Sequence, residues 1–146
     1  MSKVASAANT MGVDIDQLNA QLSTIISVTR QDAATAGTAL KTIYARMTDI
    51  ESGLDTETTL GEYTSKMAQF GIQVLDSKGA LRDVGDVMDE IGSKWDTFTK
   101  TQQVALAQAM AGTRQYNNLM ALFGNWDKYT ESLKTSQAAE GTLQNQ

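Results

Sequence analysis

The chain has 146 residues, a formal charge of −5, and no cysteine, histidine or proline. That length fits one domain with a sizeable core. The missing residue types exclude disulfides, thiol nucleophiles and histidine-based triads, and the acidic balance argues against a phosphate-binding surface spread over the molecule.

With 41% hydrophobic residues but only 6% aromatics and seven Met, the core must lean on Ala, Leu, Ile, Val and Met. Such side chains pack adaptably. The lack of proline and the abundance of Ala, Gln, Met and Leu favour helix throughout. Residues after Met1-Ser2-Lys3 lack the apolar stretch of a secretory signal, and no run approaches a membrane span. A soluble chain without membrane contact is expected.

The first helix carries Val4, Ala7, Ala8 and Met11 at helical spacing and stops at Gly12. It starts abruptly, so the chain is expected to begin inside a larger protein. Asp14 opens a second helix with Gln17 three residues on, a capping-box arrangement. Ile15, Leu18, Leu22, Ile25 and Ile26 lie on its apolar face. Asp32 caps a third helix, whose stripe is Ala36, Leu40, Ile43, Tyr44, Met47 and Ile50, followed by Gly53 and a polar loop. Thr59 and Glu62 form another box. It opens a helix that turns Tyr63, Met67 and Phe70 inward and stops at Gly71.

The period then changes. Two short apolar pieces about the turn at 76–79 predict a β-hairpin near residues 72–82. Asp83 should cap the next helix, with the stripe Val84, Val87, Met88, Ile91, Trp95 and Phe98. Gly85 and Gly92 weaken that helix by about 1 kcal/mol each, so packing must hold it. Thr99 and Gln102 form a further box before the small-sided run VALAQAMA at 104–111, which should sit centrally between other helices.

A last core helix should begin near Thr113, with Tyr116, Leu119, Met120 and Phe123 as its stripe. Trp126, Tyr129 and Leu133 continue it on a face rotated by about a quarter turn, which predicts a bend at Gly124-Asn125. The expected fold is mainly α: a compact domain of about six to seven helices with one short β-hairpin. Residues 1–134 would form the helical module and 135–146 a polar tail or linker.

No chemistry emerges from the motifs. Asp86, Asp89 and Glu90, and likewise Asp14 and Asp16, read as caps and solvated faces that complement helix dipoles. The turn at 76–79 lacks the phosphate-loop pattern, residues 12–16 lack the later ligands of an EF-hand, and Tyr63 stands where an S-x-x-K motif before Lys66 needs Ser. No catalytic, cofactor-binding or metal-ligating residue is assigned. The expectation is a protein that is not an enzyme and carries no cofactor.

The run QAMAGTRQYNNLMALF at 108–123 poses the sharpest question, because a glycine corner followed by Arg, Gln, Tyr and Asn suggests a helix-turn-helix reader of DNA. The register opposes it. Gln108 stands where the small residue before the turn belongs, and Asn118 and Ala121 stand where apolar residues should face the first helix. With no basic patch, a DNA-binding regulator is the alternative reading and no specific nucleic-acid binding is expected. Arg114, Asn117 and Asn118 are assigned instead to solvent, a neighbouring helix end or a partner chain.

This same run resembles the signature near the end of the core region of phage tail tape measure proteins. Three further stretches agree in order: AANTMGV at 7–13, VTRQDAATAGTALKTIYARM at 28–47 and GIQVLDSKGALRDVGDV at 71–87. The resemblance implies a module of a much longer, mostly helical chain that occupies the lumen of a growing phage or prophage tail. Such chains set tail length, are enclosed by polymerising tube subunits, and leave ahead of the DNA at infection. It further implies a virion-tail location, the host cytoplasm during assembly, and partners among the tail tube protein, tail assembly chaperones and other tail components. The pattern supplies no catalytic residues. Beyond the resemblance, leftover apolar positions suggest self-association. Leu122 is one such position; the face of Trp126, Tyr129 and Leu133, together with Arg114, Asn117 and Asn118, forms the candidate interaction surface.

Overall fold

Polar side chains placed just before apolar runs set where four of the helices begin. Asp14 accepts the Gln17 N–H at 2.8 Å while the Gln17 side chain accepts the Asp14 N–H at 2.9 Å, which closes the expected capping box. Thr99 and Gln102 do the same, with 3.2 and 2.9 Å contacts. Asp32 accepts the Thr35 N–H at 2.7 Å, and that bond holds its carboxyl below the usual range. Thr59 accepts the Glu62 N–H at 3.1 Å.

The computed structural model describes the backbone of residues 3–144 and the side chains of residues 5–138. The helices are α1 (Lys3–Thr10), α2 (Ile15–Thr29), α3 (Ala33–Ser52), α4 (Leu60–Gln69), α5 (Val84–Ser93), α6 (Lys100–Ala111), α7 (Tyr116–Phe123) and α8 (Trp126–Gln144). A single 3-10 turn, Trp95–Thr97, follows α5. The chain is mainly helical, with eight α-helices among the described residues where about six to seven were expected. The larger number arises because the predicted last helix divides at the Gly124-Asn125 bend.

α3 lies at the centre, against α1, α2, α4 and α6, while α2 packs on α1, α3, α7 and α8. The predicted α3 stripe of Ala36, Leu40, Ile43, Tyr44, Met47 and Ile50 is wholly buried. α6 sits between α3, α4 and α7, as its small side chains suggested. One buried polar cluster interrupts this apolar interior. The Tyr44 hydroxyl donates to Gln21 Oε1, and Met88 Sδ lies 3.7 Å from the same hydroxyl. Tyr129 is buried beside the same pair. Burial pushes the Tyr44 and Tyr129 phenols well above their ordinary value, so both stay neutral.

Two expectations need correction. The β-hairpin does not form: residues 72–82 make one isolated antiparallel bridge, Leu75 to Leu81, and no strand appears among the described residues. The alternation is present, since Ile72 and Val74 are buried and Gln73 is exposed. The segment between Gly71 and α5 is too short to extend a ladder, however, and Asp76 occupies its own turn by accepting the Lys78 and Ala80 N–H groups at 2.8 and 3.1 Å. Asp83 precedes α5 without a side-chain cap bond. Its carboxyl lies against Gly12 instead, where an added Cβ would be 2.4 Å from Asp83 Cγ.

The boundary expected at residue 134 is crossed by α8 without interruption, and Ser136 donates to Asp16 at 2.6 Å. The rotated stripe lies against the core. Leu122 and Tyr129 are buried, and Trp126 and Leu133 pack on the core. Rings from Phe70 through Phe98, Trp95, Phe123, Trp126 and Tyr129 form one connected row, which ends in a Trp126–Tyr129 stack at 4.2 Å. Of that face, Tyr129 is buried and Trp126 and Leu133 are half-buried against the core.

Gly92 shows which force sets a residue here. A Cβ at Gly92 would stand 2.1 Å from Trp126 Cδ2, whereas one at Gly61 would meet nothing within 4 Å. Helix propensity alone favours Ala at both sites by about 1 kcal/mol. Overpacking at Gly92 costs about 1–3 kcal/mol and outweighs it. We expect Gly61→Ala to raise the urea midpoint and Gly92→Ala to lower it; two shifts of the same sign would contradict this packing.

Candidate functional site

The corner between α6 and α7 gathers the polar side chains that the apolar core leaves over. α6 ends on Gly112, whose φ of 81° and ψ of 172° suit glycine. Its last carbonyls do not face solvent alone. Arg46 reaches from α3 and donates through Nη1 to the Ala109 and Met110 carbonyls at 2.8 and 2.9 Å, and through Nη2 to Thr58 Oγ1 at 3.3 Å. A guanidinium at a helix C-terminus satisfies orphan acceptors and meets the negative end of the dipole. The glycine also leaves room for it, because a Cβ at Gly112 would lie 3.3 Å from Arg46 Nε.

Past the corner, three side-chain amides bond in sequence. Gln31 Nε2 donates to Asn118 Oδ1 at 3.0 Å, and Asn118 Nδ2 donates to Gln115 Oε1 at 2.9 Å. The chain of amides ties α7 to the loop between α2 and α3. Gln31 Oε1 is buried and has no hydrogen-bond partner among the described residues.

Three crevices of about 720, 490 and 440 Å³ surround this corner. The first two share Arg46, Glu57, Gly112 and Thr113, and the second meets the third at Gln115. They follow the exposed side of α3 and bend toward α4. Their walls carry both signs of charge: Lys41, Arg46 and Arg114 against Asp49, Asp55 and Glu57. Tyr63 is buried beneath the first crevice; burial pushes its phenol up, and the Arg46 charge opposes that shift. Such a lining suits polar protein contacts better than a single-sign ligand.

The structure divides the six candidate surface residues. Arg114 and Asn117 are exposed at the corner. Asn118 is 7% exposed and serves the neighbouring helix end instead of a partner. Trp126 and Leu133 are half-buried on the core, and Tyr129 is 1% exposed. Sequence reasoning missed Arg46 and Gln31. The available signal was an Arg one position before the buried Met47, close enough to the stripe to reach across it.

On the far side, Asp14, Asp86 and Asp89 stand near one another. Partial burial and then the Asp86 and Asp14 charges push the Asp89 carboxyl above its usual value. No group of three or more acidic side chains able to hold a metal ion occurs among the described residues. No helix among them is long and apolar enough to cross a membrane.

Replacing Arg46 tests the corner. Arg46→Met keeps the aliphatic stem but strips two carbonyls of a charged donor, an interaction worth about 1.5–3 kcal/mol. We expect denaturant stability to fall by that order, with Lys at the same position recovering part of it. Unchanged stability for Arg46→Met would show that water serves these carbonyls equally well.

The family model described as phage-related minor tail protein matches residues 1–112. No solved structure matches the chain. The match ends at the corner glycine, yet Leu119, Leu122, Phe123 and Tyr129 beyond it belong to the same buried core.

Proposed function

The chain belongs to the phage-related minor tail protein family, and on that premise we propose that it is a non-catalytic structural module of a tail tape measure protein, acting in tail assembly and tail-length determination. The observation that carries this reading is the ordered set of four stretches resembling the tape measure core, three of which lie within the matched residues. The absence of histidine and cysteine from the whole sequence supports the non-catalytic part, since the commonest acid–base and nucleophilic groups are lacking.

In this reading the module resides in the lumen of the tail tube, and in the host cytoplasm while tails assemble. Its partners are the tail tube protein, assembly chaperones and other tail components. A folded bundle adds little to a ruler: α3, at 20 residues, is its longest helix and spans about 30 Å. Its part in length determination is therefore to make contacts that engage the tail, and the exposed Arg114 and Asn117 beside the corner crevices are where such contacts are assigned. DNA reading gains nothing from this geometry, because Asn118 is turned inward and Arg114 shares its crevice with Asp49, Asp55 and Glu57.

The test is genetic and structural together. Arg114→Glu combined with Asn117→Lys is introduced into the phage gene that encodes the chain, and tails are measured by electron microscopy. The same substitutions in the purified chain should leave its helical circular dichroism unchanged, since both residues are exposed. Missing tails or tails of altered length are expected. Infectious particles with normal tails, together with normal tails after in-frame removal of residues 3–144, would overturn the proposal.

A further inference from the structure

The acceptors at the end of α6 have two ways of being satisfied. In an uninterrupted helix the Ala109 and Met110 carbonyls accept from the N–H groups of residues 113 and 114. In the closed chain Arg46 Nη1 serves both, at 2.8 and 2.9 Å. The interruption between α6 and α7 is short, residues 112–115, and Thr113 and Arg114 within it are exposed. It holds no proline. One residue makes the corner: Gly112, at φ 81° and ψ 172°, a conformation essentially confined to glycine. Straightening that residue would join residues 100–123 into a single helix of about 36 Å.

What lies beyond the corner is firmly held, and by distant parts of the chain. α8 makes with α2 the most extensive helix–helix contact among the described residues, and α7 packs on α2 as well as on α6. Leu119, Leu122, Phe123 and Tyr129 are each at most 1% exposed, and Trp126 fills the space over Gly92. α7 and α8 therefore do not leave that surface bare. If the corner straightens, they settle on the same surface of another copy. Only residues 112–115 join them covalently to α1–α6, so each of these contacts, and the 3.0 Å bond from Gln31 to Asn118, can be remade between chains. The corner alone differs: helix bonds replace those from Arg46.

We propose that Gly112 is a hinge at which two copies of this chain exchange α7 and α8. In the resulting dimer α6 and α7 run on as one helix, and each α8 lies on the α2 of the other copy. Arg46 is the latch of the closed form, because it serves the two carbonyls that the open form serves by itself. The interface is the closed chain's own core, so it needs no spare apolar patch on the surface. The exchange does not depend on the tail assignment.

Ser136 donates to Asp16 at 2.6 Å across the α2–α8 contact, and the chain has no cysteine, so a cysteine at each position reports which copy supplies α8. Full chains carrying Asp16→Cys and Ser136→Cys separately, one of them size-tagged, are mixed in urea, refolded together at high protein concentration and oxidised. A disulfide between the two different chains is expected, at several times the yield of a control in which the exposed Leu54→Cys replaces Asp16→Cys. Gly112→Ala strains the closed corner but suits a helix, and each dimer opens two corners. Light scattering should therefore find Gly112→Ala dimers at an about tenfold lower concentration than dimers of the unsubstituted chain. A Gly112→Ala chain that stays monomeric at every concentration, or a cross-chain disulfide yield no higher than the control, would overturn the proposal. If Gly112→Ala does not fold, the disulfide test on the unsubstituted corner decides by itself.

Discussion

The bundle depends on one buried hydrogen bond, from the Tyr44 hydroxyl to the Gln21 side chain. Around it the interior is built of Leu, Ile, Val, Ala and Met, side chains that fill space but specify position weakly. An apolar stripe can slide by a turn and still be buried. A buried hydroxyl cannot, because leaving it unpaired costs about 1–3 kcal/mol. Tyr44 thus fixes α3 against α2, and Met88 and Tyr129 bring α5 and α8 to the same point. The expected consequence is a single register for four helices, set by one polar contact in the middle of an adaptable core.

That register carries through to the corner beyond α6. With α3 fixed, Arg46 is aimed at the end of α6, and the chain turns at Gly112 into α7. The Gln31–Asn118–Gln115 amides then close the gap between α7 and the start of α3. Arg114 and Asn117 are left exposed because their neighbours are used up inside, and they lie beside crevices whose walls are mixed in charge. The family match ends at this corner, but the core does not: α7 fills it and α8 lies across it.

Much of this was legible in the amino acids, and the exceptions have physical causes. Local signals worked where the partner is three or four residues away. Asp14, Asp32, Thr59 and Thr99 cap the expected helices, Gly12 and Gly53 follow the ends of α1 and α3, and the α3 stripe is buried in full. They failed where the partner is distant. Asp83 meets Gly12 rather than its own helix, and Arg30, at φ 64°, ends α2 in a conformation that glycine usually supplies. The Trp126, Tyr129 and Leu133 face looked spare because periodicity reports which side is apolar, not whether another helix already covers it. Gln21 and Arg46 are polar and so are passed over when apolar stripes are drawn, and their roles appear only once α2, α3 and α6 are brought together.

A double-mutant cycle on the two partners tests the central contact most directly. Tyr44→Phe, Gln21→Met and the pair are compared by urea unfolding. If the hydrogen bond sets the register, each single change should cost about 1–3 kcal/mol, and the double should cost at least 1 kcal/mol less than their sum, since it leaves neither Tyr44 nor Gln21 as an unpaired half of the contact. Additive costs, within about 0.5 kcal/mol, would contradict the account and return the register to apolar packing alone.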